Sequence, residues 1–163
     1  MSATTTEGEL WRALEDVPDP ELPAVSVVDL GVIASLEVEA GVAHVRLLPT
    51  FVGCPAVEQM RLAVGEAARA LGLEPDVRVT YDEIWTSERI SPRGRARLEA
   101  AGIAPPGALP VRTGLGIPLR PVASCPFCGS ARTRRENAFG PTPCRGIWYC
   151  DACGQPFEAF KPV

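Results

Sequence analysis

The 163-residue chain contains a single histidine, His44. Hydrolases built on Ser-His or Cys-His pairs need an imidazole beside the nucleophile, and many oxygenase iron sites need several. The sequence also has no Glu-x-x-His spacing of the kind used by di-iron carboxylate bundles, and no Gly-x-Gly-x-x-Gly dinucleotide fingerprint. These absences argue against a hydrolase, an iron oxygenase and a dinucleotide-dependent enzyme.

Long apolar runs are also missing, since none approaches the roughly 20 residues of a membrane span. The first ten residues, MSATTTEGEL, lack the basic and apolar regions of a secretory signal. We therefore expect a cytoplasmic protein with no membrane partner, in a compartment where clustered cysteines indicate metal or redox sites. The net charge of −4 gives no general attraction to nucleic acid.

Proline and glycine are concentrated between positions 105 and 121, where 17 residues include five prolines and three glycines. Such a stretch disfavours helix and central strand, so we interpret 105–121 as a linker between a front module, 1–104, and a tail, 122–163. Residues 1–121 carry 11 arginines and 17 acidic residues, a net −6. The tail carries five basic and three acidic residues, a net +2, and five of the six cysteines. This difference supports two modules.

The front module has the periodicity of a small α/β domain. Apolar spacing and turn residues predict the order helix, strand, strand, helix, strand, helix. The predicted ranges are 8–16, 31–39, 42–48, 55–71, 76–82 and 92–101, with a hairpin at Ala40-Gly41 between the first two strands. We expect an α/β (α+β) fold in which a mixed sheet and helices form a two-layer sandwich.

Cys54 directly precedes the predicted helix 55–71 and is expected to be its N-cap. Amides and the helix dipole at that position stabilise a thiolate. Gly53 leaves space beside the sulfur, and Thr50 and Glu58 are near in sequence. The pattern fits a reactive or metal-binding thiol, and a small buried cysteine is the alternative interpretation.

The tail contains two C-x-x-C pairs, each followed by glycine, separated by 21 residues; their cysteines are Cys125, Cys128, Cys150 and Cys153. Four thiolates suit a closed, tetrahedral, structural Zn²⁺ site, which would stabilise so small a module. The tail is therefore predicted to be a small zinc-ribbon-like module. An iron–sulfur cluster and a pair of redox disulfides are the alternatives.

Two further features of the tail stay open. Cys144 is a fifth thiol that is a spare, a replacement metal ligand or a small buried residue. Arg132, Arg134 and Arg135 form a basic run that suits a solvated loop or an acidic protein partner better than nucleic acid.

Longer segments resemble a known family. The chain contains DPELPAVSVVDLGVI and PTFVGCPAVEQM, which resemble the metal–sulfur cluster biosynthesis proteins, a small α/β family implicated in iron–sulfur assembly. It also contains WTSERISPRGRARLEAAGIAPP and CPFCGS, and ends in FGPTPCRGIWYCDACGQPFEAFKPV. These segments are similar to the PaaD family, the small accessory subunits encoded with phenylacetyl-CoA epoxidase, a multicomponent monooxygenase of aerobic phenylacetate degradation. The similarity extends over nearly the whole chain from about Asp19.

The resemblance implies partners and site residues. The di-iron oxygenase and the reductase carrying flavin and a [2Fe–2S] centre would be other polypeptides, and they are the expected partners beside a possible homodimer. The family's cysteine falls on Cys54 and its acidic turn on Asp19 and Glu21. Thr50 and Glu58 are weaker candidates, and no catalytic residue is assigned.

The function expected is that of an accessory subunit of the epoxidase system, inactive alone, that acts in iron–sulfur or iron-centre maturation. Cys54 would hold iron or a cluster transiently, and Zn²⁺ would be structural in the tail. Two alternatives remain at this point: a non-catalytic structural component of the epoxidase complex, and a thiol-redox or persulfide carrier that uses Cys54 or Cys144.

Overall fold

A computed structural model of the protein describes residues 6–107 and 122–162. The chain divides into two compact units between Gly94 and Arg95. Most of the expected linker, residues 108–121, lies outside the described residues. Within the described ranges, no helix combines the length and the apolar character needed to cross a membrane.

The first unit contains a three-stranded sheet with two helices on one face. Strands β1 and β2 pair in antiparallel fashion, and β2 pairs with β3 in parallel, so the expected mixed sheet is confirmed. Helix α1 packs against α2 and β1, and α2 packs against β3. The elements are α1 (Glu7–Leu14), β1 (Ile33–Glu39), β2 (Val42–Leu47), α2 (Val57–Ala70), β3 (Glu74–Val79) and a 3₁₀ turn (Ser87–Arg89), followed by α3 (Pro92–Ala100), which spans the boundary.

Local chemistry explains most of the element ends. Ala40 and Gly41 both have positive φ, 48° and 82°, as the tight hairpin between β1 and β2 requires. The Ser91 hydroxyl accepts a hydrogen bond of 2.9 Å from the Gly94 amide, so the predicted cap of α3 is confirmed. Pro75 is tolerated in β3 because β3 is an edge strand.

The start of α2 differs from the prediction. The helix begins at Val57 and its N-cap is Ala56, so the expectation that Cys54 is the N-cap was wrong. The physical reason is a turn in front of the helix. Gly53 has a φ of 82°, the Cys54 amide donates to the carbonyl of Phe51, and the Cys54 carbonyl accepts from Val57. Because of these turns, the helix begins at Val57, two residues after the predicted start at 55.

The segment leading into β1 is held by a buried carboxylate. The side chain of Asp29 accepts hydrogen bonds of 3.0 Å from the Ser91 hydroxyl and 2.8 Å from Nε of Arg93. Burial alone would raise the pKa of Asp29, but these hydrogen bonds and the positive charge of Arg93 outweigh it and hold the pKa below its usual range. A Cβ on Gly94 would lie 2.7 Å from the Asp29 carbonyl oxygen, so only glycine permits this close approach.

The second unit is built on a four-stranded sheet in the order β4-β7-β6-β5. Its strands are β4 (Ile103–Ala104), β5 (Thr133–Asn137), β6 (Arg145–Cys150) and β7 (Pro156–Phe160). The sequence assigns residues up to 104 to the front module, whereas β4 pairs in parallel with β7. This pairing places residues 103–104 in the sheet of the tail. The small core consists of Ala104, Ala123, Cys125, Trp148, Cys150, Phe157 and Ala159.

Replacing Asp29 by Asn should destabilise the first unit by about 1–3 kcal/mol, because the buried carboxylate that accepts from Ser91 and Arg93 is lost while Arg93 keeps only its exposed partner Glu15. Urea unfolding followed by the helical circular dichroism signal measures this, since α1 and α2 lie in the first unit. A Glu66→Gln control on the exposed side of α2 should change stability by less than about 0.5 kcal/mol.

Wild type and Asp29→Asn should also differ in how their free energy of unfolding depends on pH. The folded pKa of Asp29 is lowered, so its contribution is complete above the unfolded value of about 3.9 and is lost as the pH falls through the folded pKa. The stability difference between wild type and Asp29→Asn should therefore shrink below about pH 4. A difference that stays constant with pH would show that the ionised carboxylate is not the stabilising group.

Candidate functional site

One edge of the first sheet gathers three loop segments. The parallel strands β2 and β3 end side by side, with Leu47 opposite Val79. The Thr80 amide donates to the Leu47 carbonyl at 2.8 Å, and the Leu48 amide donates to the Val32 carbonyl at 2.7 Å. Residues 29–33, 48–56 and 80–90 therefore extend from the same edge, the place where open α/β sheets position binding residues.

Side chains from residues 85–89 fix the turn before β1. The indole Nε1 of Trp85 donates to the Leu30 carbonyl at 2.9 Å. Arg89 donates from Nε to the Gly31 carbonyl at 2.9 Å and from its terminal nitrogen to the Ile33 carbonyl at 3.3 Å. Together with the hydrogen bonds of Asp29, these contacts hold residues 29–33 in place at this edge.

Cys54 lies in the turn that connects β2 to α2 at this edge. Its side chain is half-buried, whereas Phe51, Val52, Gly53 and Pro55 around it are exposed. The Val52 side chain is 78% exposed. Cys54 is thus partly accessible, in a turn whose neighbouring residues are exposed.

The other predicted residues of the front unit have defined surroundings. The Asp19 side chain is buried and accepts hydrogen bonds of 2.8 and 2.7 Å from the amides of Glu21 and Leu22, so it organises its own turn. Thr50 is half-buried in the same connection as Cys54. The Glu58 carboxylate is held by Arg61 at 2.6–3.1 Å, and these hydrogen bonds lower the pKa of Glu58.

The structure brings the four predicted tail cysteines together. The Sγ atoms of Cys125 and Cys153 are 3.7 Å apart, those of Cys128 and Cys150 are 3.6 Å apart, and all four lie within 4.8 Å of one another. A tetrahedral ion with metal–sulfur bonds of about 2.3 Å requires sulfur–sulfur separations of about 3.8 Å. Each C-x-x-C pair forms a tight knuckle because Gly129 and Gly154 have positive φ, 71° and 74°.

The electrostatics of the quartet call for a cation. The backbone amide of Cys153 donates to the Cys150 sulfur and lowers the pKa of Cys150 to about 7, despite opposing burial. The amide of Gln155 donates to the Cys153 sulfur, but burial and the neighbouring sulfurs outweigh it and raise the pKa of Cys153 to about 12. Four adjacent sulfurs cannot all ionise without compensating positive charge. A bound divalent ion supplies that charge, so the residues fit a metal site.

Cys144 lies outside this quartet. Its half-buried sulfur is 3.1 Å from the Thr142 hydroxyl oxygen, and its carbonyl accepts a hydrogen bond from the Lys161 amide. The group of metal-ligating side chains found among the described residues comprises only the two C-x-x-C pairs. All six cysteines are in the described part of the chain, and none forms a disulfide.

Sequence reasoning missed the residues that support the Cys54 edge, namely Asp29, Trp85, Arg89 and Arg93. The hydrogen bonds of Trp85, Arg89 and Arg93 to residues 29–33 join positions 55 to 64 residues apart, as between Trp85 and Leu30 or between Arg93 and Asp29. A buried aspartate after Val27-Val28 and an isolated tryptophan in a loop were the available signals.

Comparisons with known families divide the chain in a similar way. Residues 7–81 match the family described as iron-sulfur cluster assembly protein, and residues 117–161 match the PaaD zinc beta ribbon domain. Two solved structures resemble the first of these regions. A domain of unknown function, DUF59, from Bacillus anthracis has a TM-score of 0.53 and 29% identity, with 56% of this chain and 90% of that chain covered. A conserved hypothetical protein from Thermotoga maritima has a TM-score of 0.52 and 29% identity, with coverages of 60% and 98%.

Two curated relatives extend the comparison. The Bacillus subtilis protein "Fe-S protein maturation auxiliary factor YitW" is 33% identical over 88 residues, covering 50% of this chain and 82% of its own length. An Escherichia coli protein named as a component of 1,2-phenylacetyl-CoA epoxidase is 34% identical over 156 residues, covering 95% of this chain and 92% of its own length. With this similarity along both units, the chain belongs to the PaaD family of phenylacetyl-CoA epoxidase components, in which an iron–sulfur assembly domain is followed by a zinc beta ribbon.

Proposed function

We propose that this protein is an accessory factor of the phenylacetyl-CoA epoxidase system in aerobic phenylacetate degradation, and that it acts in the maturation of an iron–sulfur or iron centre. The family membership supports the connection to the epoxidase. The assembly-type first unit and the similarity to an iron–sulfur maturation factor support the maturation role. The chain alone performs no turnover in this proposal.

The observation that carries the proposal is the position of Cys54. Cys54 is half-buried in an exposed turn at the carboxyl edge of two parallel strands. The connection that carries it begins at Leu48, whose amide donates to Val32 in the segment held by Asp29, Trp85 and Arg89. A thiolate that is accessible and held on a fixed support can bind iron and release it to a stronger site. Asp19, Glu21, Thr50 and Glu58 are secondary candidates. The Asp19 carboxylate accepts from the amides of its own turn, and the Glu58 carboxylate pairs with Arg61.

One thiolate cannot complete the ligation of a cluster, so the remaining ligands must come from elsewhere. In this proposal they come from the recipient, either the reductase with its [2Fe–2S] centre or the di-iron oxygenase, or from a second copy of this chain. Incomplete ligation makes the bound state transient, because the recipient's full ligand set binds the metal more strongly.

The ribbon has a different role in the proposal, as a structural zinc module. The separations of 3.6 and 3.7 Å between sulfurs match those expected around a single tetrahedral ion. A cluster distributes its thiolates over two or more irons, which separates the sulfurs more widely. Two of the cysteines are buried and two are exposed. The ion would be fixed by the two knuckles and closed to substrates, because four thiolates fill its tetrahedral coordination.

Changing Cys54 to Ser should abolish epoxidase activity in cells while the protein keeps its fold and its zinc, because the serine hydroxyl does not ionise to bind iron. Iron and acid-labile sulfide in the purified reductase and oxygenase should fall together with activity. The measurement is epoxidase activity and metal content in a strain that carries only the variant.

Cys144→Ser is the matched control, since Cys144 is also half-buried and lies outside the quartet. It should retain wild-type activity. Wild-type activity in the Cys54→Ser strain would remove this thiol from the mechanism. Stoichiometric co-purification of the chain with active oxygenase would instead favour a permanent structural component.

Changing Cys125 or Cys153 to Ser should release the metal and unfold the ribbon, because the buried core around Cys125 and Cys150 depends on the closed site. Elemental analysis should show zinc near one per chain in wild type and a large loss in either variant. Limited proteolysis should then cleave within residues 122–162 and leave the first unit intact. Variants that stay zinc-loaded and protease-resistant would contradict a four-thiolate site.

A further inference from the structure

The ribbon has a groove along its β5 side. Strand β5 is at the edge of the sheet, and Arg135 in β5 lies directly opposite Trp148 in β6. A depression of about 600 Å³ is lined by Val122, Thr133, Arg134, Arg135, Glu136, Ala138 and Trp148. A smaller neighbouring cavity shares Val122, Arg135 and Trp148 and extends to Lys161, so the two form one groove.

Positive charge exceeds negative charge among the residues that line this groove. Its charged lining residues are Arg134, Arg135 and Lys161 against the single acid Glu136. Glu136 pairs with Arg134 at 2.7 Å, and Arg134 also contacts Asp151 and lies 4.3 Å from the Tyr149 ring centroid. Within residues 6–107 and 122–162, no hydrogen bond or ion pair is found for the Arg135 guanidinium. The lining of the groove therefore has a cation without a carboxylate partner, Arg135, beside the mostly buried ring of Trp148.

The backbone at this point favours recognition by side chains. The β5–β6 register shifts between Arg135 and Asn137, so a bulge interrupts the edge ladder. A bulge weakens an edge as a template for an added strand and changes the direction of nearby side chains. A partner would therefore be bound through Arg135, Trp148 and Lys161 more than through strand pairing.

We propose that this groove is a docking surface for an acidic protein segment that carries apolar side chains. A carboxylate of the segment pairs with Arg135, since guanidinium groups bind carboxylates through two parallel hydrogen bonds. Lys161 adds positive charge, although its ammonium also donates to the Pro143 carbonyl at 2.7 Å and lies 5.0 Å from the Phe139 ring centroid. An apolar side chain of the segment packs on Val122, which is 57% exposed, and on the small exposed part of the core residue Trp148, which is 8% exposed. Aromatic residues and arginine are the residue types that anchor protein interfaces.

Charge complementarity favours an acidic protein segment over nucleic acid. The groove offers two cations beyond the neutralised Arg134–Glu136 pair, and the whole chain has a net charge of −4. Nucleic-acid sites neutralise several phosphates with a larger basic surface. The surface deepens the proposed accessory role by stating what the ribbon recognises in a partner. Its test involves no step at Cys54, so the two proposals fail separately.

The test uses the full-length zinc-loaded protein and fluorescence anisotropy of labelled probes. The probes are a ten-residue peptide of alternating glutamate and valine, its lysine–valine counterpart and a ten-nucleotide oligothymidylate. We expect saturable binding of the acidic peptide that weakens as salt is raised. Arg135→Glu should reduce the affinity at least about tenfold. Arg69→Glu, the same charge change at an exposed position of α2, should leave it within about twofold.

Amide NMR provides the second readout. Titration with the acidic peptide should shift resonances of Thr133, Arg135 and the Trp148 indole, and Arg135→Glu should remove these shifts while zinc content stays unchanged. Absence of saturable binding, equal affinity of wild type and Arg135→Glu, or tighter binding of oligothymidylate than of the acidic peptide would each overturn the proposal.

Discussion

The buried carboxylate of Asp29 is the constraint on which the geometry of the first unit depends. Its hydrogen bonds with Ser91 and Arg93 join the segment before β1 to the start of α3, and Gly94 permits the close approach. Trp85 and Arg89 add bonds to the next carbonyls along the same turn. The Leu48 amide donates to the Val32 carbonyl, so the start of the β2–α2 connection that carries Cys54 is joined to the segment that this network holds. A half-buried thiol in an exposed turn beside this network suits the proposed site, which presents a metal to another protein.

The cysteines divide between two kinds of chemistry. In the second unit, four sulfurs gather within 4.8 Å of one another in a region that matches a zinc beta ribbon, so these cysteines fit a metal site. In the first unit, Cys54 lies in an exposed turn, and the quartet of the ribbon is formed without it. A closed site holds its ion permanently, whereas a site with one thiolate holds metal only until more ligands are offered. In the proposed function the first kind of site maintains the ribbon and the second handles the cargo.

Short-range patterns in the sequence predicted what depends on short-range physics. Ala40-Gly41 predicted the hairpin, Ser91 the cap of α3, and the two C-x-x-C spacings the knuckles of the quartet. The N-cap position of Cys54 was predicted wrongly, because the turn closed by Gly53 delays the helix to Val57. The Asp29 network could not be predicted from spacing, since its partners lie 62 and 64 residues away along the chain. The pairing of β4 with β7 is hidden for the same reason, since Ile103 is paired with Glu158.

The central claim is that Cys54 binds iron transiently, apart from the structural ion of the ribbon. The most direct measurement is a titration of the zinc-loaded protein with Fe²⁺ in the absence of oxygen, followed by thiolate-to-iron absorption, for wild type and Cys54→Ser side by side. The account predicts the same zinc content, near one per chain, in both proteins, and saturable Fe²⁺ binding with this absorption only in wild type. Equal Fe²⁺ binding by both proteins, or no Fe²⁺ binding by wild type, would contradict it.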